Sequence, residues 1–297
     1  MTSQSRRSML RKIALGTSVA LAAPAVSAAE RLGAKPSSKT KGLKGNINHS
    51  VCQWSYGYMP LDQLCKLVKE IGFSAIDLIG PKDWPVLQQH GVYSSMCYTA
   101  GSNSLTRGMN DPQYHPQLLK DFQEVIPLMK KAGYKSVICF SGNRNGMDDE
   151  TGMKNCVTIL KRIMPLAEKN GITLMMELLN SKIDHKDYMC DRTNWGVELC
   201  KKVGSDNFKL LYDIYHMQID EGDVIRTITD NHKYIGHFHT AGVPGRHEIG
   251  DNQELYYPAI MKAIAATKFK GYVAQEFIAT GSDKVQSLRD AIAICDI

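Results

Sequence analysis

Several features that identify common protein classes are missing from this sequence of 297 residues. Its eight cysteines include no C-x-x-C pair, which excludes the usual cysteine-rich structural zinc site. No G-x-G-x-x-G motif follows the first predicted strand, so the dinucleotide fingerprint is absent. No apolar run reaches the ~20 residues that a membrane-spanning helix needs. The composition, 43% hydrophobic and 22% charged, is typical of a globular protein with one large core.

The first 29 residues predict a secretion signal of the twin-arginine type. Arg6 and Arg7 precede a short apolar stretch over residues 13–26, and small residues at 27–29 offer a cleavage site. An uncleaved membrane anchor is the alternative, but glycine, threonine, serine and proline weaken the apolar stretch. We therefore expect the mature protein in the periplasm or outside the cell.

The charge of the chain is concentrated before the folded part. The signal carries four basic residues and no acidic one, so its removal lowers the net charge from +6 to +2. Residues 30–45, rich in Lys, Ser, Gly and Pro, predict a flexible basic linker and leave residues 46–297 with a net charge of −2. A slightly acidic domain is a poor binder of nucleic acid. We expect a small-molecule partner and no membrane contact after cleavage, with homo-oligomer formation left open.

The cysteines are expected to be buried and reduced. An oxidising compartment favours disulfides, but Cys52, Cys97 and Cys139 fall in predicted core strands. The twin-arginine route exports folded proteins, so the thiols can be packed before export. The same route allows a metal to be loaded in the cytoplasm, where supply favours Mn²⁺ over Cu²⁺ or Zn²⁺.

Short apolar runs alternate with longer amphipathic runs from Asn46 onward, and eight such strand-helix units can be counted. Strands that are apolar on both faces belong in parallel sheets covered by helices. A glycine is expected at the end of each of six predicted helices, just before the next strand: Gly72, Gly91, Gly133, Gly171, Gly204 and Gly271. The pattern predicts an α/β fold, a (β/α)₈ TIM barrel over residues 46–297, with a doubly wound open sheet as the alternative. Both architectures place function at the carboxyl ends of the strands.

Four ionisable residues stand near the ends of four successive apolar runs: Glu177 in ITLMMELLN, Asp213 in FKLLYDIYH, His239 in IGHFHTAG and Glu276 in YVAQEFI. Each alone has an ordinary explanation as a helix cap, a salt-bridge partner or a core histidine. Because buried charges are costly, their recurrence at one structural position predicts a shared metal ion. Three carboxylates and one imidazole suit Mn²⁺ or Mg²⁺ best, with Co²⁺ or Zn²⁺ as alternatives.

The segments MELLN, YDIYHMQ, HFHTAGVPGRHEIGDNQELYYP and QEF resemble those of the xylose isomerase-like TIM-barrel superfamily and, within it, the hydroxypyruvate isomerase family. The resemblance covers about residues 46–295. It implies that Glu177, Asp213, His239 and Glu276 bind one divalent metal and that the two glutamates also act as acid and base. The sequence departs at His239, where the best-known hydroxypyruvate isomerases have Gln and the related ketose epimerases have His. This difference leaves the substrate open.

Four further residues are predicted to bind substrate. The resemblance implies that His216 and Arg246 hold substrate oxygens, and an arginine fork suits a carboxylate or a vicinal diol. His216 is expected where the strand gives way to its loop. Arg246 has an alternative partner in the acidic residues of its own loop. Asn180 and His185 follow Glu177 and are predicted to line the pocket.

These residues predict a metal-dependent isomerase of a small hydroxy-carbonyl compound, and the resemblance implies that it converts hydroxypyruvate to tartronate semialdehyde. Glu177 would remove a proton next to the carbonyl, an enediolate would form, and Glu276 would return a proton to the neighbouring carbon. Two enzymatic alternatives are a ketose 3-epimerase and a metal-dependent lyase or hydratase acting on 3-keto-sugars. An endonuclease acting at abasic DNA sites is disfavoured by charge and export. The non-enzymatic alternative is a sugar-binding protein.

Overall fold

The computed structural model describes residues 42–99, 101 and 104–297. Within these residues eight parallel strands close into a barrel in chain order, and β8 pairs with β1. The predicted (β/α)₈ TIM barrel is therefore confirmed, and the open sheet is wrong. The predicted signal over residues 1–29 and the predicted linker up to residue 41 lie outside the described residues.

The strands are short and the helices lie between them along the chain. The strands are β1 (Asn48–Cys52), β2 (Ala75–Ile79), β3 (Tyr93–Cys97), β4 (Ser136–Cys139), β5 (Thr173–Leu178), β6 (Phe208–Asp213), β7 (Ile235–Thr240) and β8 (Tyr272–Gln275). The helices are α1 (Leu61–Ile71), α2 (Trp84–His90), α3 (His115–Ala132), α4 (Asp149–Asn170), α5 (Thr193–Val203), α6 (Ile214–Asp220), α7 (Val224–Asn231), α8 (Tyr257–Ala266) and α9 (Lys284–Cys295).

Helices α1 to α5 each end at a glycine with left-handed backbone, as predicted from the sequence. Gly271 has a different role, because α8 already ends at Ala266 and the cap is Thr267. A Cβ atom on Gly271 would lie 2.4 Å from the carbonyl oxygen of Gly236 in β7. The glycine thus allows the chain to approach β7 closely just before β8 begins.

The barrel is apolar on one side of its interior and polar on the other. A small apolar cluster brings together one residue from each of β3 to β6: Met96, Ile138, Met175 and Leu211. The opposite side of the barrel contains buried polar residues: Ser50 in β1, Asp77 in β2 and His237 in β7. TIM-barrel interiors are usually filled by branched apolar side chains, so the polar side is unusual.

Residues at the end of the predicted linker and at the start of the barrel form hydrogen bonds with the last residues of the chain. The backbone N–H of Lys44 donates to Oδ1 of Asp296 over 3.0 Å, and the side-chain amide of Asn46 donates to the carbonyl of Ile297 over 2.7 Å. All eight cysteines lie in the described residues, where they are free and buried as expected. In the part of the chain that the structure describes, no helix has the length and apolar character to cross a membrane.

Candidate metal centre

The four ionisable residues singled out in the sequence meet at the carboxyl ends of four adjacent strands. Glu177 lies in β5, Asp213 ends β6, His239 lies in β7 and Glu276 directly follows β8. One ligand atom from each lies within 4.8 Å of the others, and all four residues are buried. The structure therefore brings together the predicted quartet.

Nδ1 of His239 is the centre of this cluster. It lies 2.9 Å from Oε2 of Glu276, 3.3 Å from Oε1 of Glu177 and 4.0 Å from Oδ2 of Asp213. This buried nitrogen nevertheless has no hydrogen-bond partner of acceptable geometry among the described residues. Three carboxylate oxygens and one imidazole nitrogen are donors that divalent cations accept, so the cluster fits a metal ion.

Asp213 has two separate tasks. Its Oδ1 accepts hydrogen bonds from the backbone N–H groups of Tyr215 at 2.8 Å and His216 at 3.2 Å, and so caps the first turn of α6. Its Oδ2 remains directed towards His239. Because α6 begins immediately at Ile214, the expectation that His216 lies in a loop is wrong; it lies in the first helical turn.

His216 is fully buried and presents one unpaired nitrogen to the cluster. Oδ1 of Asn180 accepts from the backbone N–H of Asp184 over 2.9 Å, so Nδ2 of Asn180, which lies 2.6 Å from Nδ1 of His216, is the donor in that contact. Burial and the charge of Arg246 lower the pKa of His216 well below its usual value. The neutral ring therefore carries its proton on Nε2, which lies 3.7 Å from Oδ2 of Asp213 and has no hydrogen-bond partner in the described residues.

Asn180 and His185 both lie next to the ring of His216. The side-chain amide of Asn180 also donates to Oδ2 of Asp184 over 2.7 Å, so Asn180 orients His216 in this structure. The half-buried ring of His185 has its centroid 5.3 Å from that of His216, and burial followed by the charge of Arg246 lowers the pKa of His185. Direct contact of either residue with substrate stays a prediction.

Arg246 reaches the carboxylates of the cluster from the loop after β7. Its Nη2 donates to Oε2 of Glu276 and lies 3.5 Å from Oδ2 of Asp213. The guanidinium stands 5.3 Å from the ring centroid of Trp54 and 5.4 Å from that of Tyr215. The guanidinium therefore makes cation–π contacts with both rings.

The acidic residue closest to Arg246 in its own loop is engaged elsewhere. Glu248 accepts hydrogen bonds from the backbone N–H and hydroxyl of Thr280 over 2.8 and 2.9 Å, and from the hydroxyl of Ser287 over 3.0 Å. The backbone N–H of Ile278 also donates to the carbonyl of Arg246 over 2.7 Å. The alternative of an ion pair between Arg246 and Glu248 is therefore wrong, and the loop after β7 is fastened to the loop after β8.

The protonation preferences of the carboxylates differ. Burial raises the pKa of Glu177, and it raises the pKa of Asp213 to about 8 even though the charge of Arg246 opposes the shift. Burial would also raise the pKa of Glu276, but His239 and Arg246 hold it well below its usual value. A cation among these side chains would favour the ionised forms of Glu177 and Asp213, which agrees with the donor set.

Two residues outside the predicted set contact the cluster, and sequence reasoning missed the second of them. The indole N–H of Trp54 donates to Oε1 of Glu276 over 2.8 Å. Asp77 in β2 has no exposed surface, and its Oδ2 lies 2.8 Å from Nε2 of His239. Burial would raise the pKa of Asp77, but His237 and His239 lower it below its usual range. The signal was an acidic residue inside the apolar run FSAIDLIG.

Comparison with known proteins links the chain to one family of TIM barrels and to proteins named as isomerases and epimerases. A family model described as "Xylose isomerase-like TIM barrel" matches residues 65–295. The chain is 37% identical to 2-oxo-tetronate isomerase of Cupriavidus necator over 111 residues, 37% of this chain and 42% of that protein. It is 26% identical to hydroxypyruvate isomerase of Escherichia coli over 218 residues, 70% of this chain and 84% of that protein. It is 28% identical to D-psicose 3-epimerase of Ruminiclostridium cellulolyticum over 134 residues, 44% of this chain and 43% of that protein. The first and third alignments thus span less than half of those relatives.

Solved structures share the fold at lower identity. The AP endonuclease of family 2 from Brucella melitensis aligns with a TM-score of 0.73 and 21% identity, over 83% of this chain and 97% of that chain. The 3-keto-D-glucoside 4-epimerase of E. coli aligns with a TM-score of 0.70 and 18% identity, over 83% of this chain and 98% of that chain. At these identities the likeness concerns the barrel alone.

Proposed function

The chain belongs to the xylose isomerase-like TIM barrel family, and we propose that it is a metal-dependent isomerase that interconverts a small hydroxy-aldehyde and hydroxy-ketone. Hydroxypyruvate and tartronate semialdehyde are the proposed pair. The observation that carries the proposal is the convergence of Glu177, Asp213, His239 and Glu276 at the carboxyl ends of their strands. Relatives that are 2-oxo-tetronate and hydroxypyruvate isomerases support the same class of reaction.

The quartet would hold one divalent ion, Mn²⁺ or Mg²⁺ in our proposal, with Co²⁺ or Zn²⁺ as alternatives. When bound, the ion would supply Lewis-acid polarisation of the substrate carbonyl and acidify the neighbouring C–H bond. The remaining chemistry belongs to the side chains of this protein.

The two glutamates are proposed to move the proton. In the described residues the carboxylate of Glu177 contacts Nδ1 of His239, and no hydroxyl, indole or guanidinium donor binds it. Its oxygens are therefore free to take a proton from the hydroxymethyl carbon of hydroxypyruvate. Glu276, which Trp54 and Arg246 hold as an ionised carboxylate, would take the proton of the neighbouring hydroxyl group and return it to the carbonyl carbon. The roles exchange when the reaction runs backwards.

Two buried donors without acceptors are proposed to bind the substrate oxygens. Nε2 of His216 and Nε of Arg246 have no hydrogen-bond partner in the described part of the chain. Because an unpaired buried donor is costly, a ligand oxygen is a natural acceptor for each. Hydrogen bonds from these groups would stabilise the negative charge of an enediolate, and Asn180 and His185 would support them from one side.

A ketose 3-epimerase is the second candidate. His239 is the residue type of the ketose epimerases at this position, and a D-psicose 3-epimerase is among the relatives. Epimerisation begins with the same proton abstraction. It differs because the proton returns to the opposite face of the same carbon.

The experiment incubates metal-loaded protein in deuterated water with hydroxypyruvate, with ketoses and with 3-keto-sugars. An isomerase should produce tartronate semialdehyde with deuterium on the carbon next to its carboxylate, whereas an epimerase should label carbon 3 of a ketose. Loss of a leaving group would indicate a lyase. Binding of a sugar without deuterium uptake would indicate a sugar-binding protein. Deuterium uptake by none of the compounds would contradict the proposal.

We also propose that the protein is exported by the twin-arginine route. The support is the sequence of residues 1–29, in which paired arginines precede a short apolar stretch. In that case the metal would be acquired before export, together with the fold.

A further inference from the structure

A buried acidic residue lies behind the candidate metal centre. Asp77 in β2 stands on the side of His239 away from the cluster of carboxylates, with Oδ2 2.8 Å from Nε2 of His239. The same Oδ2 lies 3.2 Å from Nε2 of His237, two residues earlier in β7. Oδ1 of Asp77 accepts a hydrogen bond from the hydroxyl of Ser95 in β3 over 2.5 Å.

Several side chains against Asp77 carry a group that can donate a hydrogen bond. The hydroxyl of Ser95, the imidazoles of His237 and His239, and the thiol of Cys52, with Sγ 3.7 Å from Oδ2, all face the carboxylate. A carboxylate without exposed surface is expensive to bury, and apolar residues fill this layer in most TIM barrels. A buried carboxylate placed among such groups indicates a role for the carboxylate itself.

The imidazole of His239 is therefore fixed from both sides. Nε2 is directed at Asp77, and Nδ1 faces the oxygens of Glu177 and Glu276. When a neutral imidazole donates its proton through Nε2, Nδ1 carries a free lone pair and can bind a metal ion.

We propose that Asp77 is a positioning residue of the metal centre, which accepts the Nε2–H of His239, fixes the ring and leaves Nδ1 to coordinate the ion. The inference rests on the proposed function, because it requires that the quartet binds a metal. Carboxylates behind histidine ligands raise metal affinity by orienting the ring and increasing its basicity. Asp77 would thus set affinity for the ion without touching ion or substrate.

The experiment measures binding of Mn²⁺ to metal-stripped protein by isothermal titration calorimetry. Asp77→Asn keeps the size of the side chain and removes the charge, and we expect the dissociation constant to rise by about 10- to 100-fold. Ser95→Ala is the matched control. It removes a hydrogen bond from Oδ1 of the same buried carboxylate and leaves Oδ2 against His239. We expect its dissociation constant to stay within about 3-fold of wild type, because the ligand's partner remains in place.

The outcomes separate this inference from the proposed function. Wild-type affinity in Asp77→Asn would overturn the positioning role alone. Equal weakening in Asp77→Asn and Ser95→Ala would also overturn it, because the effect would then report only general disturbance of the barrel interior. Failure of wild-type protein to bind any of Mn²⁺, Mg²⁺, Co²⁺ and Zn²⁺ would overturn the proposed function, and this inference with it.

A second measurement uses wild-type protein and covers the case in which Asp77→Asn does not fold. Histidine labelled with ¹⁵N is incorporated, the protein is loaded with diamagnetic Zn²⁺ or Mg²⁺, and the imidazole of His239 is observed by NMR. We expect a slowly exchanging proton on Nε2 and none on Nδ1. A proton on Nδ1 in the loaded protein would contradict the proposal.

Discussion

Trp54 donates its indole N–H to Oε1 of Glu276 over 2.8 Å, so the segment after β1 supports a carboxylate that follows β8. The two strands are neighbours at the closure of the barrel. The same indole ring lies against the guanidinium of Arg246, which donates to the other oxygen of Glu276. Trp54 therefore positions both Glu276, the proposed acid, and Arg246, the cationic side chain that is proposed to bind the substrate.

Replacement of Trp54 by Phe should keep the ring beside Arg246 and remove the hydrogen bond to Glu276. A hydrogen bond to a charged group contributes about 1.5–3 kcal/mol, so we expect kcat/KM for the best substrate to fall by roughly 10- to 100-fold. Tyr58→Phe is the control, since Tyr58 is an exposed aromatic residue of the same segment. Unchanged kcat/KM in Trp54→Phe would show that the hydrogen bond has no part in catalysis.

Glu177→Gln should remove proton transfer while keeping the shape of the side chain. General base catalysis contributes about 10²- to 10⁴-fold, and deuterium uptake from solvent should slow by that order. Bound metal is measured on the same samples by elemental analysis, because Gln is also a weaker ligand. Glu254→Gln, at an exposed position in the loop after β7, should exchange at the wild-type rate. Full exchange in Glu177→Gln would remove this residue from the mechanism.

Treatment with a chelator should abolish turnover and lower thermal stability. An ion present at 100 times its dissociation constant stabilises the folded state by about 2.7 kcal/mol. For a domain of this size, the Tm should fall by about 5–10 °C when the ion is removed. Mn²⁺ or Mg²⁺ added after dialysis should restore both activity and Tm, and buffer alone should not. Turnover that persists after chelation would count against a metal enzyme.

His49 should make the stability of the protein depend on pH. Burial lowers the pKa of His49 from 6.5 to about 4, although Asp296 opposes the shift. The folded state therefore binds the proton more weakly than the unfolded state. The contribution to stability is complete above pH 6.5, is lost as the pH falls towards 4, and amounts to about 3 kcal/mol at most.

The check compares urea unfolding at pH 7.5 and pH 5 for the wild type and His49→Gln. The loss of unfolding free energy between the two pH values should be smaller in the variant. His232→Gln is the control, because His232 is exposed and should leave the pH dependence as it is in the wild type. An identical pH dependence in all three proteins would exclude His49 as a source.

Export should depend on the paired arginines of the predicted signal. Replacement of both Arg6 and Arg7 by Lys should retain the protein in the cytoplasm, because the twin-arginine pathway reads that pair. Cell fractionation followed by immunoblotting measures the distribution and the size of the mature chain. Arg11→Lys should be exported normally. Export of the double variant through the same pathway would contradict the predicted signal.

The barrel and the quartet could be predicted because each depends on local pattern. Apolar runs bounded by helix-ending glycines specify strand order, and residues such as Glu177 and Glu276 then fall at one end of the barrel. The position of His216 was predicted wrongly because nothing in YDIYH states that Asp213 caps the next turn. Asp77 was missed because its partner His239 is 162 residues away and because Asp77 lies inside β2, where the sequence pattern indicates only an apolar strand.

The hydrogen bonds that Thr280 and Ser287 donate to Glu248 have a consequence for ligand affinity. They hold the backbone that carries Arg246 against the next loop. A small anionic ligand makes few contacts and could not by itself order a flexible loop. Because the loop that carries Arg246 is already ordered by these hydrogen bonds, the loop loses little conformational entropy when a ligand binds. A ligand of only a few carbons can then bind tightly despite its few contacts.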